Sequence, residues 1–178
     1  MDYQRQPEPD HVRVMELAEF VSMTKPPVSE QACDVTSMTM GYIEWMVFQE
    51  KQGMPHVTFV KDGKLGILAT QFIEDFKGDD KEAFAVAVKN LRKDCEVVCF
   101  GHEAWMAKID KSQYATGKYV MPRLRPDRIE AGLVQVWIKG GRHVMFTAEI
   151  KRKPTRMEPW KISFDTAIDG DHIEGRFA

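Results

Sequence analysis

The chain has little that would tie it together covalently or draw in a strongly charged partner. Cysteine is scarce: Cys33, Cys95 and Cys99 give an odd count with no framework spacing, which excludes a disulfide scaffold and agrees with a reducing compartment. Cys95 and Cys99 open no zinc site, because no second Cys or His pair at finger-like spacing follows; free thiols are expected. Net charge is equally slight, -2 from 25 Lys+Arg against 27 Asp+Glu, so no global basic field supplies non-specific affinity for nucleic acid. No run approaches the roughly 20 apolar residues that cross a bilayer, and residues 1–8 lack the apolar core of a signal peptide. The expectation is a cytoplasmic protein with no membrane partner.

Catalytic signatures are missing too. There is no phosphate-cradling Gly-x-x-x-x-Gly-Lys-Ser/Thr, no Gly-x-Gly-x-x-Gly, no Gly-x-Ser-x-Gly and no His-Glu-x-x-His. Gly101-His102-Glu103 resembles the start of the last but lacks its second histidine. His11, His56, His102, His143 and His172 are scattered without ligand spacing, which favours structural or surface roles. No cofactor and no metal are expected.

What remains suffices for one core. With 43% hydrophobic and 29% charged residues over 178 positions, the composition is that of an ordinary globular domain rather than a disordered chain. Val14, Leu17, Ala18 and Val21 repeat at helical spacing before Pro26-Pro27, and a second helix is expected over 29–52, with Gly53 at its C-terminal cap and Gly41 as a break point. Apolar runs at 57–60 and 65–68 flank Lys61-Asp62-Gly63-Lys64, a hairpin signal. Asp79 or Asp80 caps a further helix reaching Arg92, with Phe84, Ala87, Val88 and Leu91 on its apolar face. A long strand over 97–109 follows, where Gly101 is placed to form a bulge that restores one apolar face.

After a polar connection at 111–128, residues 130–138 and 143–151 form a hairpin. If Gly140-Gly141 are its two central residues, Ala131, Leu133 and Trp137 share the core face with Val144, Phe146, Ala148 and Ile150. A last strand over 158–164 brings Trp160 and Ile162 to the same side. The fold class is therefore α+β: N-terminal helices and a central helix packed on a mainly antiparallel sheet ending in a three-stranded meander. Residues 1–165 form a single domain and 166–178 a loose polar tail, in which Ile173-Glu174-Gly175-Arg176 also spells a protease-cleavage sequence.

Two constellations are candidates for function. Pairing of the strands at 97–109 and 130–138 brings Glu103 and Trp105 near Arg125, Asp127, Arg128 and Glu130. Such a group forms bidentate ion pairs, grips an anion, or holds a hard cation through carboxylate oxygens. The plainer account is that Asp127 and Glu130 neutralise Arg125 and Arg128 while Pro126 sets a turn. The second constellation is a basic edge of Lys139, Arg142, Lys151, Arg152, Lys153 and Arg156, which without interleaved aromatics reads as a solvated strand end more readily than as a nucleic-acid site.

Glu-x-Trp on a strand, a polar insertion, and then Arg-Pro-Asp-Arg-x-Glu-Ala leading into a hairpin resembles a pattern in small uncharacterised bacterial and phage proteins. The similarity spans about residues 80–152, with Gly132 standing where that pattern carries leucine. It implies a bacterial or phage origin and the same α+β core, and carries over no activity. Met38, Met40 and Met46 share a helix with Tyr42 and Trp45, so large apolar groups fall on both of its faces and self-association is expected. The functional expectation is a non-enzymatic accessory or binding protein that presents a sheet or helix surface to a protein partner or a small ligand. The alternatives are a metal-dependent hydrolase using Glu103, Asp127 and Glu130, and a nucleic-acid binder using the basic edge.

Overall fold

The computed structural model describes residues 30–51, 55–70, 78–107, 120–140 and 143–164. The expected helix near 10–22, the tail and Arg142 lie outside them. In chain order the elements are α1 (Glu30–Phe48), β1 (His56–Lys61), β2 (Lys64–Ala69), α2 (Gly78–Asp94), β3 (Val97–Met106), a 3-10 turn at Pro122–Leu124, β4 (Ile129–Ile138), β5 (His143–Arg152), β6 (Thr155–Met157) and β7 (Lys161–Phe164). All strands join one antiparallel sheet in the order β2-β1-β3-β4-β5-β6, and β7 also pairs with β5. The sheet curls as a half-barrel, with a helix on each face. None of the described helices is long and apolar enough to cross a membrane.

The local chemistry accounts for most of these elements. Asp62 and Gly63 both take positive φ (51° and 69°), the backbone an Asp-Gly hairpin requires, and β1 and β2 pair outward from Lys61 opposite Lys64. Helix α1 is not interrupted at Gly41. It buries Ala32, Val35, Thr36, Thr39, Met40, Ile43, Glu44, Met46 and Val47, a stripe at three- and four-residue spacing, against β1, β3 and β4. Its threonines stay helix-compatible by returning their hydroxyls to the turn before: Thr36 Oγ1 donates to the Ala32 carbonyl (2.8 Å) and Thr39 Oγ1 to that of Val35 (2.7 Å). Burial pushes the thiol of Cys99, beside Thr36, up to about 12, so it is an inert core group. Cys33 and Cys95 are likewise free thiols.

Two expectations about the sheet need correction. The β4–β5 register sets Trp137 opposite His143 and Val136 opposite Val144, one residue away from the register that a two-residue Gly140-Gly141 turn requires. The face under α1 therefore carries Val134, Val136, Val144, Phe146, Ala148 and Ile150 with Trp160 and Ile162. Trp137 points the other way and is buried under α2 with Phe84, Val88, Val98 and Phe100. There its indole lies between the Arg92 guanidinium, 4.4 Å from the ring centre, and the His143 imidazole, stacked at 4.9 Å. The slip is invisible to apolar patterning because both faces of this sheet are covered, so either parity finds apolar neighbours.

The second correction concerns β3. Its ladders with β1 and β4 run without a shift through Gly101, so there is no bulge. Gly101 is needed for close approach instead: a Cβ there would lie 2.6 Å from His56 Cε1 and 2.6 Å from Thr39 Cγ2. Gly101→Ala is accordingly expected to cost about 1 to 3 kcal/mol, measured by urea unfolding. Thr39→Ser, which removes the obstructing methyl, should recover part of that loss.

Next to it, His102 stacks on Phe100 (4.6 Å) on the α2 face, and desolvation lowers its pKa to about 4. The unfolded chain takes up this proton near pH 6.5, whereas the folded one does not until about pH 4. Stability contributed by the neutral ring is thus present above pH 6.5 and is lost as pH falls towards 4. His102→Gln should flatten that segment of the stability–pH curve by roughly 1 to 3 kcal/mol, read from denaturant midpoints at pH 7, 5.5 and 4.5.

Candidate functional site

The two ladders of β3 differ in length, and this makes the site. β1 pairs with β3 only from Val97 to Gly101, whereas β4 continues to Met106. Beyond Gly101 the β3–β4–β5 ribbon therefore runs on with no strand beside β3 among the described residues. Helix α1 ends over the same place. Its C-terminus closes with the Lys51 N–H donating to the Met46 carbonyl (3.0 Å) and the Glu50 N–H to that of Val47 (2.9 Å), a Schellman arrangement that needs a left-handed residue. That residue is Glu50 (φ 54°), not the expected Gly53.

Between the helix end and the overhanging ribbon lies a cleft of about 720 Å³ lined by Glu50, Lys51, Glu103, Ala104, Trp105, Glu130, Arg152, Lys153 and Thr155. Strand register puts Glu103, Trp105, Glu130 and Arg152 on one sheet face, the same one that α1 covers further along. Glu103 forms the floor, its side chain only 6% exposed. Arg152 ties the acids together: its Nη2 donates to Glu103 Oε2 (3.1 Å) and to Glu130 Oε1 (2.5 Å), and its Nε to Glu130 Oε2 (3.1 Å). The Glu130 carboxylate, aided by Glu103, raises the Arg152 pKa further, so the guanidinium is permanently charged. At the rim the Trp105 indole, 45% exposed, is backed by the Arg128 guanidinium at 4.5 Å.

The sequence-selected residues thus separate. Glu103, Trp105 and Glu130 meet in the cleft and Arg128 supports the indole. Arg125 and Asp127 turn to each other instead, in a bidentate pair of 2.9 and 2.7 Å at the surface, which holds the Asp127 carboxyl below its usual range. Asp127 therefore does not complete a three-carboxylate oxygen set. Among the described residues no group of three or more His, Cys, Asp or Glu is placed to hold a metal ion.

The basic edge separates as well. Lys151 and Arg156 both face Glu158 (2.6 and 3.5 Å), Arg152 and Lys153 line the cleft, and Lys139 sits at the turn end of the hairpin, a ten-residue strand or about 30 Å away. Arg152 is the cleft residue that its basic neighbours in sequence concealed. Its parity with Phe146, Ala148 and Ile150 marks it as inward-facing once the hairpin is drawn. Glu50, Lys51 and Thr155 carried no comparable signal, since their place depends on where α1 stops.

The chain was compared with known proteins. It matches no family model, no curated protein and no solved structure. The site must be understood from its own chemistry.

Removing Arg152 leaves the Glu103 and Glu130 carboxylates facing each other without their shared cation. Arg152→Met is expected to cost about 2 to 4 kcal/mol, less than for a fully buried pair because the guanidinium is partly exposed. Asp127→Asn, which neutralises the 52% exposed carboxylate of the Arg125–Asp127 pair, should cost no more than about 1 kcal/mol. Paired chemical denaturation of the two variants checks the contrast.

Proposed function

We propose that this is a non-enzymatic binding protein that takes a small ligand in the cleft between the end of α1 and the overhanging β3–β4–β5 ribbon. The observation that carries the reading is Glu103. A carboxylate with a side chain 6% exposed at the floor of an open cleft is costly to desolvate, and here it is held in place by a guanidinium that stays charged. A guanidinium bonded to two carboxylates fixes their orientation, which suits recognition better than proton transfer. The left-handed Glu50 on the opposite wall supports the same reading, since a non-glycine residue at positive φ costs about 1 kcal/mol or more and such strain gathers at functional sites. Under this proposal the protein works in the cytoplasm and needs no cofactor.

The test is the stability–binding trade-off at Glu50. Glu50→Gly relieves the backbone and is expected to raise stability by roughly 1 kcal/mol, while weakening binding of small fragments that shift the Trp105 indole N–H resonance of the wild type. A variant that is both less stable and undiminished in fragment binding would contradict the proposal, as would a wild type whose indole resonance no fragment shifts.

A second reading, self-association, rests on a different surface. Met38 (43% exposed) and Trp45 (39%) lie on the side of α1 that runs along the β1–β2 hairpin, where Gln31 donates to the Gly63 carbonyl and Tyr42 packs on His56. On the same sheet face Leu65 and Ile67 are exposed at 50% and 58%, on β2, the terminal strand of the sheet among the described residues. We propose that two copies meet here, covering these four side chains. Light scattering should then give about twice the 20.5 kDa of one chain, and Ile67→Lys should return it to one.

A further inference from the structure

We infer that the cleft ligand is a neutral, polyhydroxylated ring, in chemical terms a pyranose sugar; this rests on the proposal that the cleft binds a small ligand. Three observations lead there, and the first is charge balance. Among the described residues the lining carries three acids, Glu50, Glu103 and Glu130, and three bases, Lys51, Arg152 and Lys153. Equal numbers of each sign give these residues no net charge with which to recruit an ion, so selection by them falls to hydrogen bonding and shape.

The second is the hydrogen-bonding inventory of the Glu103–Arg152–Glu130 unit. Arg152 spends Nε and Nη2 on the two carboxylates, while no bond from its Nη1 to a described residue is formed. A guanidinium nitrogen of this kind offers two N–H donors in the plane of the group, and beside it the Glu130 oxygens carry lone pairs beyond those the arginine uses. Donors and acceptors thus lie side by side in fixed positions. A vicinal diol fits such a surface because every hydroxyl both donates and accepts.

The third is Trp105. Its half-exposed indole stands beside these polar groups with Arg128 behind it at 4.5 Å, so the ring is held rather than free to turn. A ligand that places hydroxyls on an ion-paired plane and an apolar face on an indole must be amphiphilic across a flat ring. The C–H face of a pyranose has that character, and a cleft of about 720 Å³ accommodates one or more such rings within the usual range of small-molecule sites.

The test titrates the full-length protein with neutral hexoses and disaccharides, namely glucose, galactose, mannose, N-acetylglucosamine, maltose and cellobiose. Glucuronate and spermidine serve as anionic and cationic controls. Binding is followed by calorimetry and by the Trp105 indole N–H resonance. At least one neutral sugar is expected to bind more tightly than either control, with Kd changing less than about twofold between roughly 0.05 and 0.5 M NaCl, because no net charge is exchanged. Trp105→Ala should weaken it about tenfold or more, a loss of one stacking contact. Trp105→Phe should retain most of the affinity, and Val86→Ala, on the exposed side of α2 and away from the cleft, all of it. If only glucuronate or spermidine shifts the Trp105 resonance, the sugar inference is wrong and the binding cleft stands. If no sugar, control or fragment shifts it, both fall together.

Discussion

Strand β3 is where the molecule is most constrained. Over residues 97–101 it has β1 on one side and β4 on the other, α1 above and α2 below, and Val97, Val98, Cys99 and Phe100 are all at most 2% exposed. That stretch is paired on both edges, so the segment cannot shift by one residue without breaking two ladders and two cores at once. The two hydrophobic clusters meet on its opposite faces. That is how a single sheet supports a helix on each side without a repeated βαβ order.

The same strand shows why the sequence was legible in some places and not in others. The Asp62-Gly63 hairpin and α2 stand out because their signals are local: two residues of fixed backbone geometry, and an apolar stripe after a polar N-terminus. The β4–β5 register and the place of Trp137 are not local. When both faces are buried, alternation loses its power to choose between them, and a glycine pair at the turn admits more than one loop. Gly101 was misread for a related reason. Its small size serves His56 and Thr39, which arrive from β1 and α1, and nothing in its own neighbourhood announces them.

The candidate site followed the same division. Glu103, Trp105 and Glu130 were found because strand pairing alone brings them together. Arg152 was placed among basic residues of the strand end, although its parity with Phe146 and Ile150 turns it inward towards the two acids. Asp127 went the opposite way, since Arg125 two residues earlier offers it a shorter route to a bidentate pair than any cleft partner. The helix-end residues depend on α1 stopping at Phe48 through a strained Glu50, a choice that a better glycine-based cap at Gly53 would not have suggested. The cleft exists because the β3–β4–β5 ribbon outruns both β1 and α1, so the element that gives the fold its rigidity also carries the site out beyond the cover of the core.

This division of β3 into a clamped half and an overhanging half is the centre of the account, and native-state hydrogen exchange measures it directly. Amides of residues 97–101 should exchange only through global unfolding. Those of residues 103–106 should open at lower free energy, by a sub-global route, while remaining well protected by the β4 ladder. Uniform protection along β3, or faster exchange in residues 97–101 than in 103–106, would contradict it.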